Sequence, residues 1–116
     1  MRDAWLELDV TLKERIRTVL GDPERLVTEA ELRKLSEEGR GLTLILRAEL
    51  QRLERRLGEL DADPVTSLSA IGPTFRRVGD FREHLAELES LLSALDDRAR
   101  EVRTSRLSSS VLRPLD

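Results

Sequence analysis

The sequence predicts an all-α protein, an elongated antiparallel helical hairpin or three-helix bundle with coiled-coil-like packing. Leu, Glu, Arg and Ala dominate the 116 residues, and these residues form helices readily because their side chains lose little freedom in a helix. Two long segments place leucines at alternating three- and four-residue spacings, a pattern typical of paired helices. Aromatic residues, which favour sheets, make up only 3% of the chain.

The first helix is predicted over about residues 3–20. Its apolar residues recur at three- and four-residue spacings and predict one buried stripe. They are Trp5, Leu8, Leu12, Ile16 and Val19 or Leu20. Asp3 is suited to cap the start of this helix by accepting a backbone N–H. Gly21, followed by Asp22 and Pro23, is suited to end it.

The second helix is predicted over about residues 28–60. Thr28 and Glu31 form a capping box at its start. Its seam, with one four-residue stutter, comprises Leu32, Leu35, Gly39, Leu42, Leu46, Leu50, Leu53, Leu57 and Leu60. Gly39 and Gly41 leave two interpretations open: the helix breaks there, or Gly39 lies in the seam and lets another helix approach closely. The heptad phase survives across the glycines, which favours a continuous helix.

The connection between the two long helices contains its own helix signals. Asp63 and Pro64 predict the start of a short helix over about residues 64–70. The sequence Ile71-Gly72-Pro73 is expected to end it. A connection of this length either packs over the hairpin or has a function of its own.

The third long helix is predicted over about residues 81–106, after a second capping box formed by Asp80 and Glu83. Its seam has the cleanest period in the chain and comprises Phe81, Leu85, Leu88, Leu92, Leu95, Ala99 and Val102. The domain is expected to span residues 1–103. The serine-rich segment 104–116 is expected to be a flexible tail.

Some apolar residues lie outside the seams and predict association with other helices. Leu44 and Ile45 flank the seam of the second helix, and the first helix is too short to cover the whole hairpin. A homo-oligomer, with a dimer favoured, or another helical protein would cover them. A folded-back monomer covered by segment 61–80 is the alternative. The predicted association residues are Leu85, Leu88, Leu92, Leu95, Leu44 and Ile45.

No residue pattern in the chain indicates catalysis, a metal site or a cofactor. The chain has no Cys and one His, and His84 lacks the surrounding small-residue and Lys-Gly pattern of histidine phosphotransfer domains. His84 adjoins Leu85, which predicts a position at the margin of the bundle. Neighbouring acidic residues such as Glu37 and Glu38 point about 100° apart on a helix, so they are expected to face water. We therefore predict that the protein is not an enzyme and uses no cofactor.

The arginines provide the main candidates for polar contacts. The formal net charge is -3, with 37% charged residues of both signs, and this charge balance disfavours nucleic acid as a partner. Two arginine clusters are exceptions, and their candidate contact residues are Arg76, Arg77, Arg100, Arg103 and Arg106. One explanation of these clusters is structural, because arginines near a helix C-terminus complement the helix dipole. The other explanation is functional: the arginines contact an acidic protein or a nucleic acid phosphate.

These observations favour a non-enzymatic helical module for protein–protein interaction or assembly, a scaffold or adaptor that self-associates through its leucine seams. The alternative is a small regulatory protein that binds nucleic acid or an acidic partner through the Arg-rich C-terminal region. The N-terminal residues do not form a signal-peptide-like apolar run, and no stretch approaches the roughly 20 apolar residues of a membrane span. A cytoplasmic location without membrane contact is therefore expected.

Overall fold

Three helices and their connections make up the part of the chain that the computed structural model describes, residues 3–22, 24–63 and 68–112. They are α1 (Asp3–Gly21), α2 (Glu29–Ala62) and α3 (Leu68–Leu112). α2 and α3 form a long antiparallel hairpin, and α1 packs against both of them. The all-α, three-helix prediction is confirmed.

The core of the hairpin is made by the two predicted seams. Most of their members are 9% exposed or less, and α1 adds three more buried apolar side chains. The buried apolar residues are Leu12, Ile16 and Val19 of α1, Leu32, Leu35, Leu42, Leu46, Leu50 and Leu53 of α2, and Val78, Phe81, Leu85, Leu88, Leu92 and Leu95 of α3. Burying one such side chain contributes roughly 1.5–3 kcal/mol, so these residues stabilise the hairpin.

α2 is continuous through both of its central glycines. Gly39 is buried against α3, where a Cβ atom on this residue would overlap Cδ2 of Leu92 and lie 3.2 Å from its Cγ. The hydroxyl of Thr43 donates a hydrogen bond of 2.9 Å to the Gly39 carbonyl. The predicted continuity and the predicted close helix approach at Gly39 are both confirmed. At the helix start, Thr28 accepts a hydrogen bond from the Glu31 N–H at 3.1 Å, as the capping box predicted.

α3 is longer than predicted at its beginning. The predicted break at 71–73 and the separate short helix at 64–70 are wrong, because one helix runs from Leu68 through Pro73; residues 64–67 lie outside the described part. The predicted helix start at Asp80 is wrong for the same reason. A proline inside a helix removes one backbone hydrogen bond, and its ring crowds the preceding turn. Val78, five residues later, is 2% exposed and belongs to the apolar core, so packing of α3 opposes this cost.

α3 is also longer at its other end. The helix continues to Leu112, past the predicted end near residue 106. Residues 113–116 lie outside the described part of the chain. The predicted flexibility of segment 104–116 stays a prediction.

α1 buries the later part of its predicted apolar stripe but not the beginning. Leu12, Ile16 and Val19 are at most 7% exposed, as predicted. Trp5 is 37% exposed and Leu8 is 53% exposed, whereas Asp9 and Lys13 are almost fully buried. Helical positions 9, 12, 13, 16 and 19 therefore face the hairpin, and Leu8 lies on the edge of α1 beside α2. The side chain of Asp3, the predicted cap, lies outside the described part.

Candidate functional site

The residues predicted for association are divided between the core and the surface. The four α3 leucines are at most 9% exposed within the single chain, where they hold α2 against α3. They are Leu85, Leu88, Leu92 and Leu95. Leu44 and Ile45 are 67% and 38% exposed. Of the six predicted residues, these two therefore have the exposed apolar surface that a partner could contact. They line different depressions.

Leu44 lies on the face of the hairpin away from α1. This face is crossed by ion pairs between α2 and α3, which surround the leucine with charge. The pairs are Arg40–Asp96 at 3.2 Å, Arg47–Glu89 at 2.5 Å, Glu54–Arg82 at 3.5 Å and Glu29–Arg106 at 2.9 Å. Exposed pairs of this kind are worth about 0–1 kcal/mol each, but together they make this face polar.

Ile45 lies in a groove between α1 and α2, which we call the α1/α2 groove. Its apolar lining comprises Leu8, Leu12, Gly41, Leu42 and Ile45, and its rim comprises Thr11, Arg15, Glu37 and Glu38. The groove has a volume of about 430 Å³ and is open to solvent. Its two ridges of exposed apolar surface, Leu8 and Ile45, come from different helices. The sequence indicated Ile45 as a surface residue, whereas it assigned Leu8 to the core.

The predicted arginines do not form one site. Arg76 and Arg77 lie on α3 about 35 Å from Arg100, measured along the helix at 1.5 Å per residue. Arg77 stacks on Phe81, with its guanidinium carbon 5.8 Å from the ring centroid. The arginines near the other end of α3 pair with carboxylates of the same chain: Arg100 with Asp97 at 2.7 Å, and Arg103 and Arg106 with Glu29 at 3.7 and 2.9 Å.

A buried cluster of charged side chains joins α1 to α3, and sequence reasoning missed it. Asp9 is fully buried, and its Oδ2 lies 2.6 Å from Nζ of Lys13 and 3.1 Å from Nδ1 of His84. The Lys13 ammonium also donates a hydrogen bond of 2.9 Å to the His84 carbonyl. The cluster fixes where α1 lies along α3.

Glu87 lies at the outer edge of this cluster, one turn beyond His84. The positive charge of Lys13, 3.8 Å away, lowers the pKa of the Glu87 carboxyl, and a hydrogen bond from Arg17 lowers the same pKa further. Both effects favour the charged carboxylate of Glu87 in the folded protein. The negative charges of Asp9 and Glu87 therefore face the positive charges of Lys13 and Arg17.

One signal of the cluster was visible in the sequence. Asp9 and Lys13 are four residues apart, which places them on one face of α1. Such pairs usually lie in water, and nothing local marks this pair as buried. His84 lies at the margin of the bundle as predicted, with 34% of its side chain exposed.

The described residues contain no group of three or more His, Cys, Asp or Glu side chains arranged to hold a metal ion. Over the same residues, none of the three helices combines the length and the apolar character that crossing a bilayer requires.

Comparison with known proteins identifies no relative, since no family model, curated protein or solved structure matches the chain.

Proposed function

We propose that the chain is a non-enzymatic helical assembly module, and that it works by pairing with a second copy of itself. The observation that supports this is the amount of surface the single chain leaves exposed. The chain measures 81 × 20 × 17 Å, with a radius of gyration of 20.2 Å. A compact domain of the same length has a radius of gyration of about 13 Å.

The exposed area is large for the mass of the chain. Its accessible surface is 8401 Å², whereas a compact monomer of 13.2 kDa exposes about 6,400 Å². The excess of about 2,000 Å² is more than the roughly 800 Å² that each partner buries in a standard dimer. A dimer would therefore still leave part of the elongated surface exposed.

The exposed surface includes apolar side chains on all three helices. Those in the described helices are Trp5, Leu8, Val10, Leu44, Ile45, Leu68, Phe75 and Leu107, each at least 37% exposed. The formal net charge of -3 is small, so electrostatic repulsion between two copies is weak. The proposed location is the cytoplasm, on the sequence grounds given above.

Light scattering coupled to size-exclusion chromatography tests this proposal. We expect a mass of twice the 13.2 kDa of the chain at micromolar concentration, with dissociation on dilution. A mass of one chain at every concentration up to the millimolar range would overturn the proposal.

A further inference from the structure

We infer that the α1/α2 groove is the interface of this dimer, and that its occupant is the same groove of a second copy. The inference rests on the proposed self-association. In a two-fold dimer both copies present the same patch. If one residue of the first copy contacts another residue of the second copy, the same contact also forms with the two copies exchanged. Here α1 and α2 of both copies would form a four-helix contact around the axis.

The composition of the groove favours this surface over the others. Leu8 and Ile45 stand as two exposed apolar ridges with Gly41 and Leu42 between them. The opposite face of the hairpin is crossed by ion pairs. The depression near the end of the hairpin and the α1/α2 groove each include three charged residues, but a larger share of the surface of the groove is apolar. Burying the α1/α2 groove therefore desolvates less polar surface for the same apolar surface.

Gly41 contributes to the shape of the groove. A glycine inside a helix costs about 1 kcal/mol relative to alanine. Gly39 has an explanation within the chain, since Leu92 occupies the space of a Cβ atom, but a Cβ on Gly41, like one on Gly58, would meet nothing within 4 Å. Gly41 lines the α1/α2 groove and leaves its floor open between the ridges of Leu8 and Ile45.

The rim of the groove suits an identical partner because it contains both signs of charge. Arg15 pairs with Glu38 across the groove at 2.8 Å. Glu37 makes no ion pair among the described residues and lines the same rim. Across a two-fold axis, Glu37 of each copy can face Arg15 of the other, whereas a rim of one sign would repel its own copy.

Charge substitutions in the groove test the inference against matched controls. Leu8→Glu and Ile45→Glu place an unpaired carboxylate in the interface, so we expect the dimer dissociation constant to rise by about 100-fold or more. Val10→Glu and Leu44→Glu are the controls. Val10 is 47% exposed against 53% for Leu8, on the same helix, and Leu44 is 67% exposed on α2. Neither control residue lines the groove, and we expect changes within about threefold.

Cross-linking gives a second readout that does not depend on folding energy. The chain has no cysteine, so Gly41→Cys and Gly58→Cys each introduce a single thiol at an exposed glycine of α2 with open space around it. The two sites are about 25 Å apart along the helix. A short bis-maleimide should join two copies of Gly41→Cys and leave Gly58→Cys monomeric on a denaturing gel.

The outcomes separate this inference from the proposed function. A monomeric wild type overturns both. A dimeric wild type whose dissociation is unchanged by Leu8→Glu and Ile45→Glu overturns the groove interface and keeps the proposed self-association. Cross-linking of Gly58→Cys as fast as Gly41→Cys also overturns the groove interface. Circular dichroism of each variant confirms that the helices are intact.

Discussion

Oδ2 of Asp9 lies 2.6 Å from Nζ of Lys13, and neither side chain is more than 3% exposed. The two residues are one turn apart on the face of α1 that packs against α3, and both contact His84. Oδ1 of Asp9 is buried and accepts no hydrogen bond among the described residues. A buried pair of this kind contributes little net stability, but removing one partner leaves an uncompensated charge. The pair therefore constrains where α1 can lie.

Asp9→Ala is expected to lower the free energy of unfolding by up to about 3 kcal/mol, because the buried Lys13 loses its nearest carboxylate and keeps only that of Glu87, 3.8 Å away. Urea denaturation followed by circular dichroism measures the change. The double variant Asp9→Leu with Lys13→Leu should recover most of the loss, since apolar side chains of similar volume need no partner. Glu101→Ala, which breaks an exposed pair with Arg98, is the control, with a change below about 1 kcal/mol. A single variant as stable as that control would contradict the buried pair.

Gly39→Ala and Gly41→Ala are expected to change stability in opposite directions. Alanine at Gly41 should raise the free energy of unfolding by about 0.5–1 kcal/mol, because helix propensity improves and no atom lies within 4 Å of the new Cβ. Alanine at Gly39 should lower it by about 1–3 kcal/mol, since Leu92 must move within a packed core. Denaturation below the dimer dissociation constant isolates the effect within one chain. Equal effects of the two substitutions would contradict the close approach of α3 at Gly39.

Glu87→Gln should make the melting temperature less dependent on acid pH. In the folded chain the pKa of Glu87 lies below its ordinary value of 4.5. The main cause is the charge of Lys13, and the second is the hydrogen bond from Arg17. A carboxyl group whose pKa is lower in the folded chain stabilises the fold at pH values above its pKa in the unfolded chain. This stability is lost as the pH falls through its pKa in the folded chain. Thermal melts at steps from about pH 6 to pH 3 should show a steeper fall below about pH 4.5 for the wild type. Parallel curves for the two proteins would contradict the prediction.

Pro73→Ala should stabilise the chain by up to about 3 kcal/mol, because α3 passes through Pro73 and alanine restores a backbone N–H donor there. The expected gain appears as a higher urea midpoint and stronger helical circular dichroism. Arg76→Ala serves as the control in the same region, since Arg76 is exposed and a change within about 0.5 kcal/mol is expected. A gain no larger than that of the control would indicate that the helix ends at the proline, as the sequence predicted.

The hairpin was predictable because both seams repeat leucine over several heptads, and this period alone determines which faces meet. The start of α3 was not predictable, because Gly72, Pro73 and Asp80 are strong local turn signals. They are opposed by long-range packing of residues such as Val78, which is 2% exposed. Local signals and tertiary packing conflict there, and packing prevails.

The α1/α2 groove and the buried charged cluster could not be predicted from the sequence for a different reason. Periodicity assigns Leu8 to the core and gives no signal for Asp9, but in the structure Leu8 is 53% exposed and Asp9 is fully buried. Asp9 can be buried because Lys13 and His84, the latter distant in sequence, supply its partners. No pattern within α1 reveals a partner on α3. Ile45 was recognisable because it lies outside a clear seam.

The unequal lengths of the helices divide the hairpin into parts that open at different rates. α1 has 19 residues and α3 has 45, so α1 covers about 28 Å of a helix roughly 67 Å long. α1 contacts residues 31–45 of α2, close to the start of that helix, so two helices pack without a third only toward the end of α2 and the beginning of α3. Backbone amides beside α1 exchange with solvent through larger openings than amides in that two-helix section. Hydrogen exchange should therefore be faster in the second half of α2 and the first turns of α3. A partner that binds the two-helix section would meet a helix pair that separates at low cost while the three-helix section stays closed.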